Sequence, residues 1–504
     1  MTPILRNIKW LLAAGALLVF SGIGLLALTP LIHPVAAQDA EPYYLEADYL
    51  GAGECSSCHR DLAQIHDESD HALTLQEVGR NEEVVLGDFS AGAEARMTQF
   101  PNEARPFEID DIAYVIGTGR YVQRYLYEEE RNNYRVLPAE WDVVAGEWRA
   151  LTLAESWDDA AFDWETNCVA CHTTGFNAER VRWEEDGVQC EACHGPGSEH
   201  EEVASDAGRN PNDEELAEIR AVINPATDSQ VCGQCHSRGT AASGQPFAAG
   251  YIPGMTLSDV FTLAAFATSG DDHWWVSGHA KQSNMQYNEW VLSGHADAAG
   301  NGATEAVGCT TCHAPHVEDS GPAYLVSDPY ALCVSCHNDT PEGNGRPAQE
   351  MYEGTVVVAG LPAFAGVHFN SDDGPKCATC HLPEVAVESG VRASHTFKPV
   401  VTFGVEGLTD SCAACHERQA QPSAIGLLIT DIQEATQLRL DTARSLVNST
   451  SPAWITEALD FVEHDGSLGI HNYTYSDALL DAVYDALGLY GDTEAAAAAA
   501  GAGQ

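Results

Sequence analysis

Apolar and polar residues alternate in three different ways along the chain, and each pattern predicts a different kind of element. An unbroken apolar run extends from Trp10 to Leu28, whereas residues 113–151 alternate apolar and polar positions around Gly-rich and Asn-rich turns. The alternation predicts short antiparallel strands. Over residues 423–448 and 474–491, apolar residues recur at helical spacing, which predicts amphipathic helices.

The N-terminal apolar run has the features of a secretory signal. Arg6 and Lys9 precede it and the small residues of AAQDA follow it, so we expect residues 1–37 to be a signal peptide that is cleaved after Ala37. An uncleaved membrane anchor stays open as the alternative, because a run of this length nearly spans a bilayer. Either interpretation places the remaining chain in the periplasm or outside the cell.

Cysteine and histidine are both abundant, with 16 and 20 copies. Every cysteine belongs to a C-x-x-C pair that is followed directly by histidine, which gives eight motifs. Disulfides are the usual use of so many cysteines in a secreted chain. Zinc sites combine cysteine pairs in fours with variable ligands. Eight identical C-x-x-C-H motifs are instead typical of c-type haem attachment.

The spacing of the motif suits that chemistry. Two thiols three residues apart can form thioether bonds with the two vinyl groups of one porphyrin, and the next residue places an imidazole beneath the iron. We therefore predict eight covalently attached haems c. The predicted attachment residues are Cys55, Cys58, Cys168, Cys171, Cys190, Cys193, Cys232, Cys235, Cys309, Cys312, Cys333, Cys336, Cys377, Cys380, Cys412 and Cys415. The predicted proximal ligands are His59, His172, His194, His236, His313, His337, His381 and His416.

Further histidines outnumber the predicted irons. Eleven remain beyond the proximal set and His33 of the signal segment, while methionine and lysine are scarce. This surplus predicts bis-histidine ligation at most or all irons, which gives low-spin haems of lower potential than histidine/methionine haems. The predicted distal ligands are His71, His200, His279, His295, His316, His368, His395 and His471. His66, His273 and His464 are left without a predicted role.

Motif spacing and turn-rich segments predict the organisation of the chain. We expect a mainly α-helical fold with much irregular structure wrapped around a chain of eight haems, a small β insert between haems 1 and 2, and C-terminal helices. Turn-forming residues near position 245 indicate a module boundary, and the alanine-rich C-terminus predicts a disordered low-complexity tail. The predicted divisions are residues 1–37 (signal peptide or anchor), 38–160 (haem 1 with the β insert), 161–245 (haems 2–4), 246–416 (haems 5–8), 417–490 (C-terminal helices) and 491–504 (tail).

The chain is strongly acidic, with 24 basic and 75 acidic side chains and a net charge of −51. Such a surface repels nucleic acid and anionic membranes, so we expect no nucleic-acid partner and membrane contact only through an N-terminal anchor. Steering of cationic partners and solubility at high salt are both open as explanations of the charge. The expected partners are redox proteins or an extracellular electron acceptor, and assembly into an oligomer or filament stays open.

Several stretches resemble known multihaem cytochromes. YVIGTGRYVQRYLY, NCVACHTTGF and GVQCEACHGPGSEH are similar to the cytochrome c554 group. SGHADA with VGCTTCHAPH, CATCHLP with SHTF, and the late DGSLGIHN resemble the haem core shared by pentahaem nitrite reductase and octahaem hydroxylamine oxidoreductase. The resemblance covers residues 48–490. It implies distal ligands at His395 and His471 and family-like distal contexts for His71, His295 and His316.

Departures from that superfamily bear on function. Its nitrite reductases bind substrate at a haem whose motif ends in lysine, and no C-x-x-C-K motif occurs here. Tyr473 and Tyr475 are the late tyrosines that would match the haem cross-link of hydroxylamine oxidoreductase, and Lys281 would match the lysine ligand of octahaem tetrathionate reductase. The sequence favours an electron carrier, with no predicted catalytic residue. A reductase or oxidase of nitrite, hydroxylamine or tetrathionate at one five-coordinate haem, and a subunit of an extracellular haem filament, are the alternatives.

Overall fold

The computed structural model describes residues 42–490, except for 80, 268, 298–306, 318–320, 322, 342, 359, 371–373, 389, 402–407 and 417–421. The predicted signal segment and the predicted C-terminal tail lie outside the described residues. The chain divides into two units, residues 1–47 and 48–504. The first contains the 3-10 helix Tyr43–Leu45. None of the helices within the described ranges has the length and hydropathy that a membrane span requires.

The second unit contains short strands in small antiparallel sheets. The strands are β1 (Leu75–Glu77), β2 (Met97–Gln99), β3 (Ala104–Pro106), β4 (Tyr114–Ile116), β5 (Val122–Glu130), β6 (Asn133–Val136), β7 (Ala139–Asp142), β8 (Glu147–Ala150), β9 (Thr173–Thr174), β10 (Glu185–Asp186), β11 (Gly239–Ala241), β12 (Phe261–Leu263), β13 (Glu384–Val387) and β14 (Gly390–Ala393). The largest sheet has six strands in the order β1-β4-β5-β7-β8, with β6 paired to β5. It lies between the first and second C-x-x-C-H motifs of the sequence.

The six-stranded sheet is stabilised by an aromatic core. Alternation along β4 and β5 turns Val115 and Tyr125 inward, and both are fully buried. The ring of Trp148 lies 5.4 Å from Tyr125 and 5.4 Å from Trp141. These rings are tilted or edge-on, the arrangement that aromatic quadrupoles favour. Trp164, which precedes the second motif, is buried in the same core, so this core fixes the position of that motif.

Most helices are short, and three longer ones lie at the C-terminal end. The helices are α1 (Ala52–Cys58), α2 (Arg60–Asp67), α3 (Trp164–Asn167), α4 (Val169–His172), α5 (Cys190–His194), α6 (Ser198–Ala207), α7 (Asp213–Ala221), α8 (Ser229–Gly233), α9 (Gln286–Trp290), α10 (Cys309–Cys312), α11 (Pro329–Val334), α12 (Ala348–Glu353), α13 (Cys377–His381), α14 (Ala413–His416), α15 (Pro422–Leu446), α16 (Ala453–His464) and α17 (Tyr473–Ala486). The combination of helices with small sheets confirms the predicted fold class in this coarse form.

The three C-terminal helices pack around an aliphatic core. Leu440 of α15, Leu459 of α16 and Leu479 of α17 are buried together with Met351 of α12. On the outside, Arg439 of α15 forms ion pairs with Asp477 and Asp481 of α17. The apolar stripes that the sequence predicts here therefore face one another, and the shared core connects this bundle to the haem-motif region through α12.

Candidate haem-binding sites

Each C-x-x-C-H motif lies on or beside a short helix. In the first, the backbone N–H of His59 donates to the carbonyl of Cys55 at 2.9 Å. The same bond joins His236 to Cys232 and His313 to Cys309, at 2.9 Å each. Residues three and four apart lie on one face of a helix, so this turn presents two thiols and an imidazole on the same side. All 16 cysteines are described, and none forms a disulfide.

Capping residues fix where two of these helices begin. The Asp228 side chain accepts a hydrogen bond from the N–H of Gln230 and caps α8. Asp328 accepts hydrogen bonds from the first turn of α11, whose first residue is Pro329. Aspartate at the N-cap and proline at the first helical position are both favourable. The caps therefore set the helical phase of Cys232 and Cys333.

Seven of the eight motif histidines face a second histidine across a gap of nearly constant width. Their ring centroids are separated by 6.3 Å (His59–His200), 6.3 Å (His71–His236), 6.2 Å (His194–His316), 6.0 Å (His295–His337), 6.2 Å (His313–His395), 6.3 Å (His368–His416) and 6.2 Å (His381–His471). A metal lies about 2 Å from each ligating imidazole nitrogen, and half a ring on either side brings the centroid separation to about 6 Å. The gaps therefore fit a haem iron between each pair of rings.

The outer ring nitrogens of several paired histidines are held by backbone carbonyls. Nδ1 of His194 donates to Asn224 O at 2.7 Å, Nδ1 of His200 to Ile219 O at 2.9 Å, and Nδ1 of His381 to Phe397 O at 3.0 Å. A carbonyl on Nδ1 selects the tautomer whose Nε2 carries the lone pair that binds a metal. Burial acts in the same direction, since it lowers the pKa of His395 to about 4, with the imidazole of His313 adding to the effect. The ring of His395 is thus neutral at physiological pH.

His172 differs from the other seven motif histidines. Its Nδ1 forms a hydrogen bond with Thr74 Oγ1 at 2.7 Å, and its ring lies 5.9 Å from that of Trp164. No second histidine faces it, although every histidine after His33 is within the described ranges. Trp164 Nε1 is buried without a hydrogen-bond partner among the described residues. Buried donors normally have an acceptor, and a bound group with carboxylates, such as haem, would provide one.

The structure does not bring His279, a predicted distal ligand, opposite any motif histidine. Its Nε2 donates to the carbonyl of Lys398 at 3.1 Å, and its Nδ1 accepts from Ser277 Oγ at 2.9 Å. Both ring nitrogens are engaged within the protein, which leaves neither for an iron. His66 lies 6.1 Å from His316, but its Nε2 donates to Val188 O at 2.9 Å, so it stays outside the set of facing pairs.

One paired histidine has a carboxylate neighbour, which the sequence reasoning missed. Nδ1 of His471 lies 2.6 Å from Oδ1 of Asp465. Burial lowers the pKa of His471, but the hydrogen bond and charge of Asp465 outweigh it, and the pKa is raised overall. The signal in the sequence was an acidic residue six positions before a histidine in DGSLGIHN. Neither spacing nor composition separates such a pair from ordinary surface residues.

Thiols of different motifs contact one another and so show which motifs are neighbours. Side-chain contacts join Cys55 to Cys190, Cys171 to Cys235, Cys232 to Cys309, and Cys333 to Cys377. Helices α1 and α5, α8 and α10, and α11 and α13 pack in corresponding pairs. The first motif is therefore adjacent to the third, the second to the fourth, the fourth to the fifth, and the sixth to the seventh.

Electrostatic influence between further thiols completes the series. Cys193 of the third motif raises the pKa of Cys232 of the fourth, Cys336 of the sixth raises the pKa of Cys312 of the fifth, and Cys415 of the eighth raises the pKa of Cys380 of the seventh. The motifs thus connect in the order 1-3-4-5-6-7-8. The second motif joins this series beside the fourth.

Two known families match parts of the chain. The family described as the doubled CXXCH motif matches residues 302–342, and that described as cytochrome c554 and c-prime matches residues 146–195. The second match confirms the predicted resemblance to the c554 group. No curated protein sequence matches the chain.

Solved structures of multihaem cytochromes share the fold. The outer cell wall cytochrome OcwA is 26% identical, with a TM-score of 0.71 over 87% of this chain and 99% of that one. An undecahaem cytochrome from the S-layer of Carboxydothermus ferrireducens is 18% identical, with a TM-score of 0.51 over 88% of this chain and 70% of that one. With the two family matches, the similarity to OcwA identifies the chain as a multihaem c-type cytochrome.

Proposed function

We propose that this cytochrome transfers electrons outside the cytoplasmic membrane, from a donor redox protein to an external acceptor, through eight covalently attached haems. The observation that carries the proposal is the set of seven imidazole pairs with centroids 6.0–6.3 Å apart. Irons with two imidazole ligands have no position for substrate and exchange electrons only. The likeness to a cytochrome named for the outer cell wall supports the location.

The proposed ligands follow from the geometry. Each C-x-x-C-H motif attaches one haem, and the facing histidines provide the distal ligands of seven of them. His279 is left out of this set because both of its ring nitrogens are engaged. Each haem supplies a one-electron iron couple when bound. The chain's own contribution is to orient the imidazoles and to fix their tautomers, through carbonyl acceptors such as Asn224 O.

Thiol contacts between motifs support a continuous electron route. Since each porphyrin is bonded to its two cysteines, cysteines in contact bring the edges of two porphyrins together. The route runs through haems 1, 3, 4, 5, 6, 7 and 8. Haem 2 joins it at haem 4, because Cys171 contacts Cys235.

Haem counting and ligand spectroscopy test this function. Pyridine haemochrome analysis of the holoprotein should give eight haems per chain, and electron paramagnetic resonance of the oxidised protein should show seven low-spin irons. A count well below eight would contradict the attachment sites. Several high-spin irons would contradict the proposed ligand pairs, even with eight haems present.

The absence of a described imidazole opposite His172 favours a second candidate function, reduction or oxidation of a small anion at haem 2. The guanidinium groups of Arg124 and Arg238 act electrostatically on Cys168 of this motif, and fixed cations favour binding of an anion nearby. Carbon monoxide should then bind to one reduced haem in eight. Turnover of nitrite, hydroxylamine or tetrathionate that cyanide inhibits would support this function. Binding of carbon monoxide without turnover of any of them would leave electron transfer as the activity.

A further inference from the structure

We propose that Asp465 sets the reduction potential of haem 7, the haem attached at Cys377 and Cys380, by holding its distal ligand His471 with a buried carboxylate. The inference rests on the proposed function, since it assumes that His381 and His471 bind the same iron. Asp465 is a positioning residue, because it acts on the iron only through the imidazole.

The contact between Asp465 and His471 is short and enclosed. Oδ1 of Asp465 lies 2.6 Å from Nδ1 of His471, and the carboxylate is fully inaccessible to solvent. Its other oxygen accepts hydrogen bonds from the backbone N–H of Ser467, at 3.2 Å, and from the Ser467 hydroxyl. Ser467 Oγ in turn accepts from the N–H of His471 at 3.0 Å. Carboxylate, hydroxyl and imidazole therefore form one closed network.

The loop between α16 and α17 has an unusual backbone that makes this network. Gly466 and Gly469 have φ values of 77° and 95°, and Leu468 has a φ of 53°. A leucine in the left-handed region is strained, and such residues persist only where surrounding contacts hold them. Asn472 provides such contacts, since its Nδ2 donates to Met351 O at 3.0 Å and to Phe364 O at 2.8 Å.

Asp465 also occupies a position that electrostatics disfavours. It is the C-cap residue of α16, and the C-terminal end of a helix carries partial negative charge that repels a carboxylate. Burial of an anion adds a further cost unless hydrogen bonds compensate for it. Helix stability therefore does not explain the residue, whereas its contact with His471 does.

Other paired histidines have neutral partners. Nδ1 of His194, His200 and His381 each donates to a backbone carbonyl. Within the described part of the chain, His471 is the histidine whose ring forms an ion pair with an acid. A carboxylate on the outer nitrogen makes an imidazole a stronger donor to its metal. Stronger donation and a nearby buried negative charge both stabilise ferric over ferrous iron, which lowers the potential.

The position of the seventh motif gives this effect a consequence for electron flow. Cys377 contacts Cys333 of the sixth motif, and Cys380 lies near Cys415 of the eighth. Haem 7 thus connects haem 6 to haem 8. A lowered potential makes haem 7 harder to reduce than it would be with a neutral partner on His471, so electrons are held there for a shorter time.

The experiment is a potentiometric titration of the holoprotein that is monitored by optical and electron paramagnetic resonance spectroscopy. In Asp465→Asn, one low-spin haem should titrate at a higher potential than in the wild type, with the remaining haems unchanged. In Ser467→Ala, the carboxylate loses its hydroxyl donor and pulls harder on the imidazole proton, so the same haem should shift to lower potential. General loss of structure would move both variants in the same direction. Glu457→Gln is the matched control, an exposed acid on α16 whose change should leave all potentials unchanged.

The outcomes separate this inference from the proposed function. Haem content and low-spin signals of the wild type are measured first, because fewer than eight haems or an excess of high-spin iron would overturn both. Should Asp465→Asn keep eight haems and its low-spin spectrum while no potential changes, the role of Asp465 is wrong and the electron-transfer function stands. A shift of the same sign in Ser467→Ala and Asp465→Asn would also overturn the role of Asp465.

Discussion

His66 and His194 both place their rings near that of His316, at 6.1 and 6.2 Å. Hydrogen bonding distinguishes them. Nε2 of His66 is engaged by the carbonyl of Val188, whereas His194 uses Nδ1 for a carbonyl and leaves Nε2 available. At the scale of single residues, therefore, the ring nitrogen that the protein engages determines which imidazole is able to bind iron.

Removal of one distal imidazole tests this distinction. His316→Ala should convert the haem of the third motif to a five-coordinate, high-spin form, because its iron loses the ligand opposite His194. Carbon monoxide titration of the reduced protein should then show one more binding haem than in the wild type. His66→Gln is the control, and we expect its spectrum to match the wild type. A gain of carbon monoxide binding in His66→Gln with none in His316→Ala would show that His66, and not His316, is the ligand.

Two histidines in the same four-residue sequence show how far the role of a single residue can be predicted. His279 and His295 both occur in SGHA, yet His295 faces His337 whereas His279 is engaged by Ser277 and Lys398. Seven of the eight histidines predicted as distal ligands face a motif histidine, but the different position of His279 could not be predicted from the sequence. The difference depends on a carbonyl that lies more than one hundred residues away along the chain.

At the scale of elements, the C-terminal helices depend on a small apolar core. Leu459 of α16 is fully buried, whereas Leu438 of α15 is 67% exposed. Large-to-small changes in a core cost the transfer energy of the lost atoms and leave a cavity. Surface changes have much smaller effects.

Leu459→Ala should destabilise the bundle by about 2–5 kcal/mol and lower the Tm of the holoprotein, measured by far-ultraviolet circular dichroism. Leu438→Ala should change stability by less than about 0.5 kcal/mol. A similar loss in both variants would contradict the packing of α15 and α16 described above. Haem content of each variant is checked first, so that loss of cofactor is not mistaken for loss of packing.

Elements long enough to contain several repeats of the apolar pattern were predictable from the sequence, and the shortest elements were not. The alternation along β5 and the helical stripes of α15 and α17 are visible in the sequence. Strand β1 has three residues and pairs with β4 across nearly forty positions of sequence. Three residues carry no recognisable period, so its place in the sheet depends on tertiary contacts alone.

At the scale of the whole molecule, charge is the dominant property. A net charge of −51 generates a negative potential that extends about 10 Å into 0.1 M salt. Such a field speeds the approach of a cationic redox partner and fades as salt increases.

The rate at which a small basic cytochrome c of low potential, with bis-histidine haems of its own, reduces this protein should therefore fall steeply as ionic strength rises, in stopped-flow measurements between 10 mM and 300 mM salt. An acidic flavodoxin is the control donor and should show a rate that rises or stays constant. Equal salt dependence for both donors would contradict steering and favour solubility as the reason for the charge.

The spatial order of the motifs was beyond sequence reasoning. Gap lengths along the chain say nothing about which motifs touch, and the second motif is followed in sequence by the third but contacts the fourth through Cys171 and Cys235. Only the folded chain shows that the second motif departs from the sequence order, which the third to eighth motifs keep.

If each motif binds a haem as proposed, the side position of the second motif places haem 2 beside the electron route and not on it. A haem beside the route lets the protein store one more electron without adding a transfer step between the two ends of the route. Replacing Cys168 and Cys171 by alanine should lower the number of electrons that the reduced protein stores by one. The rate of electron transfer between haem 1 and haem 8 should stay unchanged. The same geometry would let a ligand bind that iron and accept its electrons while transfer between the other haems continues.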